Sequence, residues 1–217
     1  MNPRPPADTT ILYLVRHGAT DANESRPYIL QGSGIDMPLS ETGRKQAAAV
    51  GRFFRDYPLA GVYSSHLQRA VETAQAVAGH HELEVRTHEA LAECNVGRWE
   101  GMDWDSIMAQ HPEEYRAFME NPAENPYLGG ESYGDVLQRS RPVLEELLEC
   151  HLGESIAVVA HNVVNRVYLA HVMGMELSRA KDIRQINTGV NVIRYRQGEC
   201  ELMTLNSFFH LDDGLMG

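Results

Sequence analysis

The 217-residue chain carries 19 Lys+Arg against 30 Asp+Glu, a formal net charge of -11, and 43% of its residues are hydrophobic. That acidity argues against nucleic acid or an anionic membrane as partner, because both recruit basic surfaces, and no run reaches the roughly 18 apolar residues of a membrane-spanning helix. The opening "MNPRPPADTT" lacks the apolar stretch of a secretory signal, and Cys94, Cys150 and Cys200 sit in unrelated contexts that suit neither a disulfide frame nor a metal cluster, so a cytoplasmic location is expected.

In chain order, the apolar run before Arg16 predicts a buried strand over 10–16. Ser40 is placed to cap a helix over 41–56, in which Ala47, Val50 and Phe54 share one face. A short strand is expected over 60–65, a helix over 66–79 and another short strand over 83–87. Residues 90–130 read as irregular, with short helical pieces interrupted by Pro112, Pro122 and Pro126 and closed by Gly129 and Gly130. Ser132 and Asp135 start a long helix to His151, which Pro142 is expected to bend or break. A buried strand over 155–161 precedes a helix to Met173, and 189–205 reads as a hairpin turning at Gln197 and Gly198. This alternation predicts an α/β fold of three layers, a mostly parallel sheet flanked by helices. One domain over 1–217 is expected, with 90–130 as a cap-like insertion over one end of the sheet and flexible ends at 1–9 and 212–217.

In such sheets ligands bind beyond the carboxyl ends of the strands. Arg16 and His17 close the first strand, Arg69 follows the second buried strand, and His161 closes the third. If those strands are neighbours, two guanidinium forks and two imidazoles make a site for a tetrahedral dianion, most simply phosphate. Each residue alone has a plainer explanation: a strand-end histidine is more often structural, and a helix arginine is more often solvated. Their coincidence at successive strand ends favours chemistry. Other phosphatase and hydrolase patterns are absent: Cys94 and Arg98 are four positions apart where a cysteine phosphatase needs six, and there is no G-x-S-x-G elbow, P-loop lysine or H-E-x-x-H.

"LVRHGATDAN" (14–23) resembles the Arg-His-Gly signature of the histidine phosphatase superfamily, also called the phosphoglycerate mutase-like family. The likeness continues in order through "QGSGIDMPLSETGRKQA" (31–47), "SSHLQRAVETA" (64–74), "LAECNVGRWEG" (91–101), "GGESYGDVLQR" (129–139), "VVAHN" (158–162) and "LNSFFHL" (205–211). The resemblance implies the phosphoglycerate mutase-like fold and assigns roles. His17 is the nucleophile that becomes phosphohistidine, Arg16, Asn23, Arg69 and His161 hold the phosphoryl oxygens, and Glu93 donates and accepts the proton. Gln31, Gly32 and Asn162 are further substrate-binding positions. The chemistry is coherent, since phosphoryl transfer needs chiefly an in-line nucleophile and positive charge on the equatorial oxygens, and flanking arginines keep an imidazole neutral.

The implied activity is hydrolysis of a small phosphorylated metabolite through a phosphohistidine intermediate, with neither metal nor other cofactor. The alternatives are a cofactor-dependent phosphoglycerate mutase and a non-catalytic module that binds a phospho-ligand. Mutases of the family tend to carry Trp where Ala22 stands and a longer segment after the acidic residue, which favours hydrolysis. The expected partner is a small-molecule phosphate monoester, without nucleic acid or membrane; a homodimer is left open.

Overall fold

The computed structural model describes residues 4–215. Its strands are β1 (Thr9–Arg16), β2 (Leu59–Ser64), β3 (Val85–Thr87), β4 (Ser155–Ala160), β5 (Val190–Arg196) and β6 (Glu199–Ser207). They form one six-stranded sheet in the order β3-β2-β4-β1-β5-β6. The four strands from β3 to β1 are parallel, and β5 and β6 complete the sheet antiparallel. The sheet is therefore mixed but mostly parallel.

Residue alternation decides which face each side chain serves. In β1, Leu12 and Leu14 enter one core with Ile156, Val158 and Ala160 of β4, while Val15 enters the other with Ala157 and Val159. β4 lies between β2 and β1 and is buried at every position, as a parallel strand covered on both faces must be.

The helices are α1 (Asp21–Glu24), α2 (Glu41–Phe54), α3 (Gln68–Ala78), α4 (Trp104–Gln110), α5 (Pro112–Glu120), α6 (Tyr133–Cys150) and α7 (Asn162–Val172). α2 and α3 cover one face through Val50, Phe54, Ala70, Ala74 and Val77. α6 and α7 cover the other through Val136, Leu144, Leu148, Val164 and Leu169. The three-layer expectation is met.

Several boundaries differ from the sequence reading. α2 ends at Phe54, and α3 begins at Gln68 because Ser65, before it, is turned into the site described below. α6 runs unbroken through Pro142. Gln138 and Pro142 both lie on its exposed face, so the one carbonyl that loses its helical donor can turn to water. Ser132 caps α6 as expected, accepting from Asp135 N at 3.1 Å while Asp135 Oδ2 accepts from Ser132 N at 2.8 Å. The turn at Gln197 (φ 53°) and Gly198 (φ 83°) is also where expected, both residues having the positive φ of a tight hairpin.

Of the ends expected to be flexible, residues 1–3 and 216–217 lie outside the described residues. Thr9, by contrast, is buried as the first residue of β1, and Leu215 O accepts from Gln46 Nε2 at 2.8 Å. Among the described residues, no helix is long and apolar enough to cross a membrane.

Candidate active site

The register of the parallel strands brings the chemistry together. Arg16 is level with Ala160, and Ser64 with Val159, so the residues leaving β1, β2 and β4 emerge side by side. His17 N continues the ladder to Ala160 O at 3.0 Å. The loop after His17 is pinned from both neighbouring helices: Gly18 N donates to Thr73 Oγ1 (3.0 Å) and Ala19 N to Gln46 Oε1 (2.8 Å). Gly43, on the first turn of α2, allows this contact, because a Cβ there would lie 1.9 Å from Ala19 O.

His17 Nδ1 faces Gly18 O at 2.7 Å. A carbonyl only accepts, so Nδ1 carries the proton and Nε2 keeps its lone pair. His17 is 3% exposed, and burial, then the guanidiniums of Arg69 and Arg16, hold its pKa well below the usual histidine range. Its ring centroid lies 5.1 Å from that of His161, whose pKa is also driven down, by burial first and then by Arg69. Ser65 Oγ contacts His161 Nε2 at 2.6 Å. His17 is thus a neutral, oriented imidazole beside two permanent cations.

Arg16 and Arg69 are both buried and are held at their tips. Arg16 Nη1 donates to Gln185 O at 2.6 Å; Arg69 donates from Nη1 to Ile35 O at 3.1 Å and from Nη2 to Gly32 O at 3.0 Å. Arg16 Nε, Arg69 Nε and His161 Nδ1 are buried without a partner among the described residues. The two guanidinium Nε–H groups suit an anion that accepts from both, and His161 Nδ1 is a third donor in the tautomer whose Nε2 accepts from Ser65 Oγ.

Glu93 sits 5% exposed at the N-terminus of α7. Its Oε2 accepts from Asn162 N (3.0 Å), while Oε1 accepts from Cys94 N (2.9 Å) and Val163 N (3.2 Å). These free N–H groups at the helix end fix the position of the side chain. Arg139 on α6 fixes the segment that carries it, donating to Ala90 O, Ala92 O and Glu93 O while paired with Glu131 at 2.7 Å.

The remaining predicted positions divide. Asn23 joins the group: its Oδ1 accepts from Thr20 N (3.1 Å) and Asn187 Nδ2 (3.2 Å), and the residue lines a cavity of about 660 Å³ beside Arg16. Gln31 bonds within the loop, with Oε1 accepting from Thr20 Oγ1 at 2.7 Å and Nε2 donating to Ile35 O at 3.2 Å, and it also lines the cavity that holds Glu93. Gly32 gives its carbonyl to Arg69 and its N–H to Glu100 (2.9 Å), so it shapes the arginine. Asn162 contributes its backbone N–H to Glu93, and its Oδ1 is buried without a partner among the described residues.

Sequence reasoning missed the loop before β5. Gln185 O holds Arg16, Asn187 Nδ2 donates to His17 O at 3.0 Å, and Thr188 N donates to Arg16 O at 3.0 Å. Thr188 is fully buried at φ 57°, a conformation that costs a β-branched residue on the order of 1–3 kcal/mol. A second cavity of about 290 Å³ adjoins the first, sharing Arg16, Tyr28, Arg166 and Gln185 and adding Glu93, Trp104, Tyr127 and Tyr133.

A family model described as histidine phosphatase superfamily (branch 1) matches residues 12–207. The chain belongs to the histidine phosphatase superfamily. Phosphoserine phosphatase 1 of Hydrogenobacter thermophilus is 32% identical over 202 residues, covering 93% of this chain and 94% of that protein. A metal-independent phosphoserine phosphatase of Arabidopsis thaliana is 33% identical over 210 residues, covering 94% of this chain and 84% of its own. Among solved structures, Bacillus stearothermophilus YhfR superposes with a TM-score of 0.86 at 31% identity, covering 93% of this chain and 98% of that one. The protein is a hydrolase of histidine phosphatase type, as its sequence implied.

Proposed function

We propose that this protein hydrolyses small phosphate monoesters whose leaving group carries a second negative charge, with His17 as the nucleophile. The observation that carries the reading is the His17 tautomer: Nδ1–H is committed to Gly18 O, leaving Nε2 as a free lone pair beside two arginines.

In the first step His17 Nε2 forms a bond to phosphorus as the ester P–O bond breaks, and Glu93 gives its proton to the departing oxygen. Arg16, Arg69, His161 and Asn23 hold the three equatorial oxygens, where charge accumulates. In the second step water attacks phosphorus, its proton passes to Glu93, and the N–P bond breaks to release phosphate and neutral His17. A bare imidazole must start each cycle, which burial and the neighbouring cations ensure.

The second charge is read from the shared cavity. Arg166 anchors Nε on Ile183 O at 2.7 Å and lines both cavities, and the exposed Arg26 and Arg184 line the larger. In a chain of net charge -11, that cluster suits an acidic leaving group such as an amino-acid or glycerate carboxylate. The relatives named for phosphoserine lend weight to the same class. Residues 90–130 then act as a cap whose Trp104 and Tyr127 wall the leaving-group side. A cytoplasmic, freely diffusing substrate pool belongs to the same reading.

The test is a panel of phosphate monoesters assayed without added metal, against wild type and Arg166→Ala. Loss of one charge-assisted contact should raise KM about 10- to 100-fold for acidic substrates and hardly at all for neutral ones. Equal effects on both would remove Arg166 from substrate recognition.

A further inference from the structure

We infer that Asn187 is a positioning residue that ties the backbone of the nucleophile to the side chain of Asn23, aiming Asn23 Nδ2 at the phosphoryl group. The inference rests on the phosphohistidine reading above and goes beyond it by naming what holds the asparagine in place.

The amide orientations follow from their partners. Thr20 N can only donate, so the atom of Asn23 that it meets at 3.1 Å is Oδ1. His17 O can only accept, so the atom of Asn187 that it meets at 3.0 Å is Nδ2. The same Nδ2 donates to Asn23 Oδ1 at 3.2 Å. Both hydrogens of Asn187 Nδ2 are thereby used, one on the nucleophile's own carbonyl and one on the phosphate-binding amide. Asn23 Oδ1 is used twice, and its Nδ2 has no acceptor among the described residues while the residue lines the cavity beside Arg16.

A second feature points the same way. Thr188, next in the chain, holds a left-handed backbone at full burial, and its N–H reaches Arg16 O (3.0 Å) and His17 O (3.3 Å) while its Oγ1 donates to Asn187 O (2.8 Å). The residue is strained where it grips the backbone of the catalytic pair, and strain of this kind persists where the surrounding structure enforces a geometry. The turn therefore sets Asn187 at one height relative to His17. Because reacting groups lose rate steeply with small displacements, an amide tied to the nucleophile's carbonyl moves with it and keeps its distance to phosphorus.

The test compares Asn187→Ala, Asn187→Asp, Asn23→Ala and the double Asn23→Ala/Asn187→Ala, using p-nitrophenyl phosphate with thermal melting in parallel. Asn187→Ala should lower kcat about 10- to 100-fold. Asn187→Asp, equal in size but unable to donate from its carboxylate, should give no rescue. The double variant should fall within about threefold of Asn23→Ala alone, since the two residues act as one unit. Should the alanine variant fail to fold, the isosteric aspartate carries the comparison. Full activity in Asn187→Asp, or losses that multiply in the double variant, would overturn the inference. His17→Ala separates the levels: if it keeps its turnover, the underlying reading is wrong, whereas its inactivity alongside near-normal Asn187 variants defeats only the present inference.

Discussion

Glu93→Gln is the substitution whose two effects separate most cleanly. Both carboxylate oxygens accept from backbone: Oε1 from Cys94 N and Val163 N, Oε2 from Asn162 N. Whichever way a glutamine amide is turned, its NH2 faces an N–H donor, so at least one buried donor loses its acceptor. An orphaned buried donor costs about 1–3 kcal/mol, which for a chain of this size is a Tm drop of roughly 2–12 °C. If Glu93 is the proposed proton donor, the catalytic loss is independent of this, because Gln has no proton to give the leaving oxygen. General acid catalysis contributes about 10²–10⁴-fold when the leaving group is poor and little when it is good. Serine or glycerol phosphates should therefore lose two to four orders of magnitude in kcat, while p-nitrophenyl phosphate, whose phenolate departs unaided, loses roughly tenfold or less. The assay is kcat for both substrate types on the same preparation, below the lowered Tm. Equal losses on the two would show that Glu93 serves the fold and not the proton.

Two further outcomes follow from the charges. Burial and the neighbouring arginines depress the pKa of His17 and His161, and burial pushes His210 down to about 4. Below the ordinary value of 6.5 the unfolded chain takes up protons that the folded one refuses, so the stability these groups contribute is intact above pH 6.5 and declines toward pH 4. Tm should fall between pH 7 and pH 5, less so in His210→Gln, and an unchanged slope in that variant would discount His210. If Arg16 and Arg69 supply the positive charge on the phosphoryl oxygens, as proposed, incubation with a chelator should leave turnover unchanged, and vanadate should inhibit as a trigonal-bipyramidal mimic. Chelator-sensitive activity restored by a divalent ion would point to metal-ion catalysis.

The central strands were legible because each is a short apolar run closed by polar residues, Leu12 to Val15 before Arg16 and Ile156 to Ala160 before His161, and the sheet buries both faces of such runs. The caps at Ser40 and Ser132 were legible because a hydroxyl before a helix has one obvious use. Arg16, His17, Arg69 and His161 were found because strand ends in an α/β sheet converge. The loop over 185–189 offered no such signal. It has no periodicity, its polar residues are a neutral glutamine, asparagine and threonine, and their partners lie far back in the chain, 170 positions away for Asn187 Nδ2 on His17 O at 3.0 Å. Of the two outcomes expected at Pro142, a bend or a break, the break does not occur, because whether a proline interrupts a helix depends on which face it occupies, and that is set by packing.

β1 pairs on one side with residues 155–160 and on the other with residues 190–196. Both ladders of β1 thus wait for the last third of the chain. At synthesis rates of roughly 5–20 residues per second, that strand stands alone for roughly 7–30 seconds after it is made. Throughout, Leu12, Leu14 and Val15 present an apolar edge that other nascent chains can join. A ribosome-bound chain that stops short of β5 lacks the completed candidate site, since Gln185, Asn187 and Thr188 have not yet closed on Arg16 and His17. Activity in a translation time course should therefore arrive as a single late step, and premature stops in the final thirty or so residues should leave insoluble protein in place of a weakened enzyme.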